Sequence, residues 1–166
     1  NALSTHLKAE VKRDGQLWVQ EYKVGKPQGK VKAVGKAKGT GTAVYFKADG
    51  TIFSTTEYNP KVILDRMRQQ AYLTKGIKMV FVDERDPKDV STYGFYFEGG
   101  VQSYVRHLNR TKTPKHDSVF YVHKPVDGIE IEIGMQYVDD YKETLFAFAN
   151  NISNPEGGTH VAGFRT

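Results

Sequence analysis

The chain of 166 residues contains no cysteine. Disulfides and Cys-ligated zinc are therefore excluded, and the composition fits a reducing, cytoplasmic setting. No apolar run approaches the roughly 20 residues that a membrane-spanning helix needs, and no signal-peptide pattern opens the chain. There is no initiator Met, so an excerpt of a longer protein is expected. The five histidines (His6, His107, His116, His123 and His160) show no pair at metal-ligand spacing, and no metal centre is expected among them. Gly39-Thr40-Gly41-Thr42 lacks both the spacing and the Lys-Ser/Thr ending of a phosphate-binding P-loop, and reads locally as a turn feeding a strand. Glu130 and Glu132 fall on the side of a strand opposite a row of isoleucines, which marks a solvated face rather than a general acid/base pair.

Charge is present but uneven. The net charge is +5, and residues 1–50 hold ten Lys/Arg against Glu10, Asp14, Glu21 and Asp49. Lys23, Lys26, Lys30, Lys32, Lys36 and Lys38 lie in Gly-rich hairpin and loop sequence, as either a solvated surface or a nucleic-acid footprint. No aromatics interleave with these lysines, which argues against a single-strand binding groove.

Hydrophobic periodicity organises the rest. Leu7, Ala9 and Val11 alternate with polar residues, Asp14-Gly15 supplies a hairpin turn, and Leu17–Val24 returns as a second strand. Val31–Val34 and Thr42–Phe46 follow, so the first fifty residues read as a β-meander with one apolar side. Residues 60–75 switch to helical period, with Asn59 as cap, Pro60 in the first turn and Gly76 as the stop. Strands are expected at 77–83 and 93–97, then a helix carrying Val101, Tyr104, Val105 and Leu108. Asn109–Asp117 is polar, contains Pro114 and reads as a domain link. Beyond it come a hairpin around Asp127-Gly128, a strand at 142–150, and a helix start at Gly157-Gly158-Thr159 with Thr159 as cap.

Several strings carry a resemblance. Phe148-Ala149-Asn150-Asn151-Ile152, followed by Glu156-Gly157-Gly158-Thr159-His160 and Gly163-Phe164-Arg165, closely resembles the start of the transducer region of bacterial type II DNA topoisomerase ATPase subunits. That family comprises DNA gyrase B and its sister, the ATPase subunit of topoisomerase IV. Asn1-Ala2-Leu3-Ser4 resembles the residues after the family's ATP lid. Lys38-Gly39-Thr40-Gly41-Thr42 is similar to its K-x-T-G-T strand entry, Tyr72-Leu73-Thr74-Lys75-Gly76 to its F-L-N-x-G helix end, and Phe97-Glu98-Gly99-Gly100-Val101 to its Y-E-G-G-I. The blocks occur in family order and spacing across essentially the whole chain.

The resemblance implies an α+β fold. Residues 1–97 would be the C-terminal part of a GHKL-type (Bergerat) ATPase domain, a mixed sheet with backing helices. Residues 98–166 would begin a transducer similar to domain 2 of ribosomal protein S5. It further implies that Thr42 and Val44 line the adenine floor of an ATP pocket, with Arg13 at its mouth, on one side of a strand and facing an open concavity. The general base, the Mg²⁺ ligand and the Asp that reads adenine would all precede residue 1, so no catalytic residue is expected here, and the transducer Lys would follow residue 166. The implied cofactors are ATP and Mg²⁺. The implied partners are double-stranded DNA, the gyrase A protein in an A2B2 heterotetramer, and a second ATPase region on ATP binding, with no membrane. The implied activity is ATP-coupled DNA strand passage and negative supercoiling. Decatenation of the topoisomerase IV kind, a basic nucleic-acid-binding module, and a homologue without turnover are the alternatives.

Overall fold

The computed structural model describes residues 1–166, which divide into two compact units, Asn1–Tyr58 and Asn59–Thr166. The first unit is a five-stranded antiparallel sheet. Strand β1 (Ser4–Arg13) is central, flanked by β2 (Gln16–Lys23) and by β5 (Gly41–Ala48); β3 (Lys26–Pro27) and β4 (Lys32–Lys36) both pair with the far edge of β2. The expected meander is thus corrected. The chain leaves β4 on one side of the sheet and crosses to β1 on the other, because the free edge of β1 is where β5 finds eight residues of ladder partners.

Two-residue turns fix the registers. Asp14 and Gly15 hold φ of 53° and 73° between the paired Arg13 and Gln16, the left-handed pair that matches strand twist. Asp127-Gly128 does the same between β8 (Phe120–Val126) and β9 (Ile129–Met135), at φ of 50° and 79°. After β5 the chain is tied down by Asp49, whose carboxylate accepts from the Thr51 N–H at 2.9 Å and the Thr51 hydroxyl at 2.7 Å. Those two bonds hold the Asp49 carboxyl below the usual range, the backbone bond most strongly.

The second unit is built on two helices. Helix α1 (Pro60–Leu73) starts as expected: Asn59 Oδ1 accepts from Lys61 N–H at 3.0 Å and Pro60 occupies the first turn. Helix α2 (Gly100–Leu108) packs against it, and the core gathers at Ala71, Tyr72, Phe95, Tyr104 and Val119. Tyr72 is its centre, stacked on Phe97 at 3.7 Å between ring centroids and on Tyr104 at 5.1 Å. Beside these lie β6 (Met79–Asp83) paired with β7 (Ser91–Phe95), the β8–β9 hairpin, and the short pair β10 (Phe148–Ala149) and β11 (Ile152–Ser153). Gly134 on β9 lets α2 approach: a Cβ there would meet Val101 Cγ1 at 2.9 Å and Val105 Cγ2 at 3.0 Å.

Three local expectations change. Residues 142–147 are not a strand; only Phe148–Ala149 pairs, so the turn at Asn150-Asn151 closes a short hairpin. Helix α3 (Thr159–Arg165) is capped by Gly158, with Thr159 already its first helical residue and no side-chain capping bond. The polar segment 109–117 is not a free link. Lys115 N–H donates to Tyr137 O at 2.9 Å, Asp139 N–H donates to Thr113 O at 2.8 Å, and Tyr137 N–H donates to His116 Nε2 at 3.0 Å. Those backbone groups needed partners, and residues 136–139, which follow β9, supply them, with Pro114 and Val138 forming an isolated bridge. Residue 97 therefore lies inside a contact unit, with Phe97 stacked on Tyr72.

Truncating Tyr72 to Ala is expected to lower the stability of the second unit by about 3 kcal/mol, read as a fall in the urea midpoint. A loss within experimental scatter would show that the aromatic stack is not its core. A second expectation concerns pH. Burial and the 2.8 Å bond that Tyr121 donates to Glu132 push the phenol up to about 12. A raised folded value favours the protonated form, so this contribution is full below about pH 10 and fades as pH climbs toward 12. Ultraviolet titration at 295 nm should show a late-ionising tyrosine that disappears in Tyr121→Phe.

Candidate functional site

The ladder of the first unit sorts its side chains by parity. On β1 the odd positions Leu7, Ala9, Val11 and Arg13 point to one side, and antiparallel partners share that side. Leu7 pairs with Tyr22 and Phe46, Ala9 with Gln20 and Val44, Val11 with Trp18 and Thr42, and Arg13 with Gln16. Thr42, Val44 and Arg13 therefore lie on one face of one sheet. Thr42 and Val44 are successive on that face of β5, and Arg13 stands one row beyond Thr42 on the neighbouring strand.

That face is open within the unit. Val44 and Phe46 keep 55% and 58% of their surface exposed, although they belong to an apolar row. Arg13 is exposed, and its nearest acid, Asp14, is 3.7 Å away, a distance at which an exposed pair contributes little. The concave part of the face lies at the opposite end from Arg13. There Leu3, Leu7, Phe46, Phe53 and Tyr58 line a shallow depression of about 410 Å³, with Phe46 edge-on to Tyr58 at 6.4 Å. Thr42, Val44 and Arg13 do not line it. Trp18, Tyr22 and Phe46 complete the apolar face, and sequence motifs do not single them out. Their signal is the shared parity with Leu7, Ala9 and Val11, visible once the register is known.

Chemically, the face offers a hydroxyl at Thr42 next to an aliphatic wall at Val44, with a cation in the next row. Such a surface can accept a flat heterocycle, with one polar edge group fixing its orientation. It offers no nucleophile–base pair, and no group of three or more His, Asp or Glu side chains in the chain could hold a metal ion. The even positions of β1 face the other way and are largely charged. Lys8 Nζ sits 2.6 Å from Glu10 Oε1, which raises the Lys8 ammonium and lowers the Glu10 carboxyl, the shared hydrogen bond leading in both.

Comparison with known proteins gives these features a context. A family model described as DNA gyrase B matches residues 100–166. The B subunit of DNA gyrase from Staphylococcus aureus is 46% identical over 99% of the chain, and that from Haloferax volcanii is 43% identical over all of it. The chain spans about a quarter of their length, 26% in each case. Among solved structures, the 43K ATPase domain of Thermus thermophilus gyrase B in complex with an aminocoumarin superimposes with a TM-score of 0.85 at 31% identity, covering 98% of this chain and 44% of that one. The B-subunit of the DNA gyrase from Myxococcus xanthus gives 0.86 at 25% identity, covering 98% of this chain and 48% of that one.

The exposure of Thr42 and Val44 separates a site from a structural role. Thr42→Val and Val44→Ala are each expected to change the chain's own stability by no more than about 0.5 kcal/mol, because neither side chain is packed here. Urea unfolding of the two variants checks this. A loss several times larger would mean that these side chains belong to the unit's core.

Proposed function

Because the chain belongs to the DNA gyrase B family, we propose that it forms part of an ATP-hydrolysing subunit of a type II DNA topoisomerase. The observation that carries this is the 46% identity spread over 99% of the chain, rather than confined to one motif. The reaction of the whole subunit would be ATP-coupled passage of double-stranded DNA with negative supercoiling, in an A2B2 complex with the gyrase A protein. Both sequence relatives described above are gyrase subunits, which favours supercoiling over decatenation.

Within this reading, residues 1–97 belong to the GHKL ATPase domain and residues 98–166 begin the transducer. The start of the family match at residue 100 supports that division. It differs from the division by packing, at Tyr58/Asn59, because α2 and Phe97 pack on α1. A functional boundary need not coincide with a contact boundary when a helix of one segment is buried on the other.

Thr42 and Val44 would form the floor that receives adenine, and Arg13 the rim. The Thr42 hydroxyl would orient the purine edge through hydrogen bonding, Val44 would cover part of its apolar face, and Arg13 would attract the anionic part of a ligand. ATP, when bound with Mg²⁺, supplies the phosphoanhydride whose hydrolysis drives the cycle. This chain offers no side-chain cluster for the cation. On the family resemblance alone we assign Mg²⁺ and the general base to residues outside 1–166, and we derive no chemical step from the residues within it.

Two measurements test the proposal. The 166-residue chain is expected to show no ATP turnover in a steady-state assay; turnover that co-purifies with it would overturn the assignment of chemistry elsewhere. In a protein of the relatives' length, Thr42→Ala is expected to weaken ATP binding about tenfold, or roughly 1.4 kcal/mol, the scale of one ligand hydrogen bond. Unchanged nucleotide affinity in that variant would remove Thr42 from the site.

A further inference from the structure

The charged side of the first sheet carries a feature that nucleotide binding does not use. Lys47 on β5 is the register partner of His6 on β1, His6 is the partner of Lys23 on β2, and Lys23 is the partner of Lys26 on β3. Four basic side chains thus stand in one straight row across four strands, on the same side. At about 4.8 Å per strand step the row is roughly 14 Å long. The adjacent row on the opposite face, Phe46, Leu7, Tyr22 and Pro27, has no charged residue.

Lys23 and Lys26 are like charges set directly opposite one another, which is unfavourable in a ladder, and no acid is paired with either. Only His6 has an acidic neighbour, Glu21 Oε2 at 3.8 Å. The side chains of Lys23, Lys26 and Lys47 form no ion pair or hydrogen bond, and all three are exposed. By contrast Lys8, one row away on the same face, is neutralised by Glu10. The turn that brings Lys26 opposite Lys23 also runs against local preference. Val24 sits at φ 47°, a left-handed conformation that β-branched residues rarely adopt, followed by Gly25 at φ 76°.

We propose that the Lys47–His6–Lys23–Lys26 row is a docking strip for the phosphate backbone of double-stranded DNA, on the sheet face opposite Thr42 and Val44. The charge complementarity is direct. Duplex DNA presents about one negative charge per 1.7 Å of axis, so a strip of roughly 14 Å meets several phosphates, and unpaired lysines are the groups that release counterions there. The row itself holds no Phe, Tyr or Trp, and the Tyr45 ring in the next row of the same face is already met by the Lys8 ammonium at 5.8 Å, so the row reads phosphates, which favours a duplex over a single strand. This inference rests on the topoisomerase reading for its choice of polyanion, while its test does not involve nucleotide.

The experiment is fluorescence anisotropy of the 166-residue chain with a labelled duplex of about 20 base pairs, from about 50 to 200 mM KCl. Lys23→Gln, Lys26→Gln and Lys47→Gln are combined in one variant. A control variant combines Lys61→Gln, Lys78→Gln and Lys88→Gln, which removes the same charge from the second unit. The row variant is expected to flatten the slope of log affinity against log salt by about 2.7, and to bind at least about tenfold more weakly at the lowest salt, while the control keeps most of the wild-type slope. Far-ultraviolet circular dichroism and the urea midpoint should be unchanged or improved in the row variant, since like-charge repulsion is relieved. Equal losses in both variants, an unchanged slope in the row variant, no duplex binding by the wild-type chain, or tighter binding of an equally long single strand or of anionic phospholipid vesicles would each overturn the strip. The ATP affinity of Thr42→Ala in the longer protein is a separate measurement, so failure here leaves the nucleotide reading standing.

Discussion

The position of β1 between β2 and β5 is the constraint from which most of the first unit follows. Eight partners on β2 and eight on β5 lock its parity. A slip of one residue on either side would carry Leu7, Ala9 and Val11 to the charged face and bring Lys8 and Glu10 among the apolar side chains. The Asp14-Gly15 turn sets the first register, and the Asp49 turn, held by Thr51, anchors the end of the second. With both ladders fixed, the sheet has two chemically distinct sides. One carries Thr42, Val44 and Arg13 amid exposed apolar surface, and the other carries the basic row.

In the second unit the organising contact is aromatic. Tyr72 brings α1, Phe97 and α2 together in one stack, and Tyr104 extends it with Gln69 Nε2 donating to its hydroxyl at 3.3 Å. Asn151, in the turn between β10 and β11, accepts from Gln70 Nε2 at 2.7 Å through its carbonyl and donates to Thr74 through its side-chain amide. The hairpin that holds part of the family's signature string is thereby tied to α1. The β8–β9 hairpin meets α2 by the face of Gly134, which shares its parity with Glu130 and Glu132, while Ile129 and Ile131 on the opposite face remain 66% and 39% exposed. The strong alternation of Ile129, Ile131 and Ile133 thus predicts which face is apolar but not whether this unit covers it.

Local elements are legible wherever a single short-range rule decides them. The Asp-Gly hairpins, the Asn59 cap with Pro60, and the i, i+3, i+4 spacing through Tyr104 all need only neighbouring residues. Family membership is legible because its blocks keep their order over the whole chain, and the placement of Thr42 and Val44 on one side follows from strand parity. At 142–150 periodicity misleads. The apolar composition is strand-like, but only Phe148 and Ala149 find ladder partners. Thr159 misleads as a cap because a hydroxyl beside two glycines satisfies the local pattern whether or not its backbone has already turned helical.

By itself, then, the sequence determined the alternation of each strand, the turn positions, the helix starts and the family, since these depend on contacts between near neighbours or on the order of short strings. Tertiary structure decided which strands are adjacent. That β5 joins β1 rather than β4 depends on which open edge offers the longer ladder, a competition between segments about thirty residues apart. The same pairing decided that Lys47, His6, Lys23 and Lys26, scattered through about forty residues of sequence, fall in one line. It also decided that the polar segment 109–117 is bonded to 136–139, because backbone donors and acceptors must be satisfied by whatever segment is within reach.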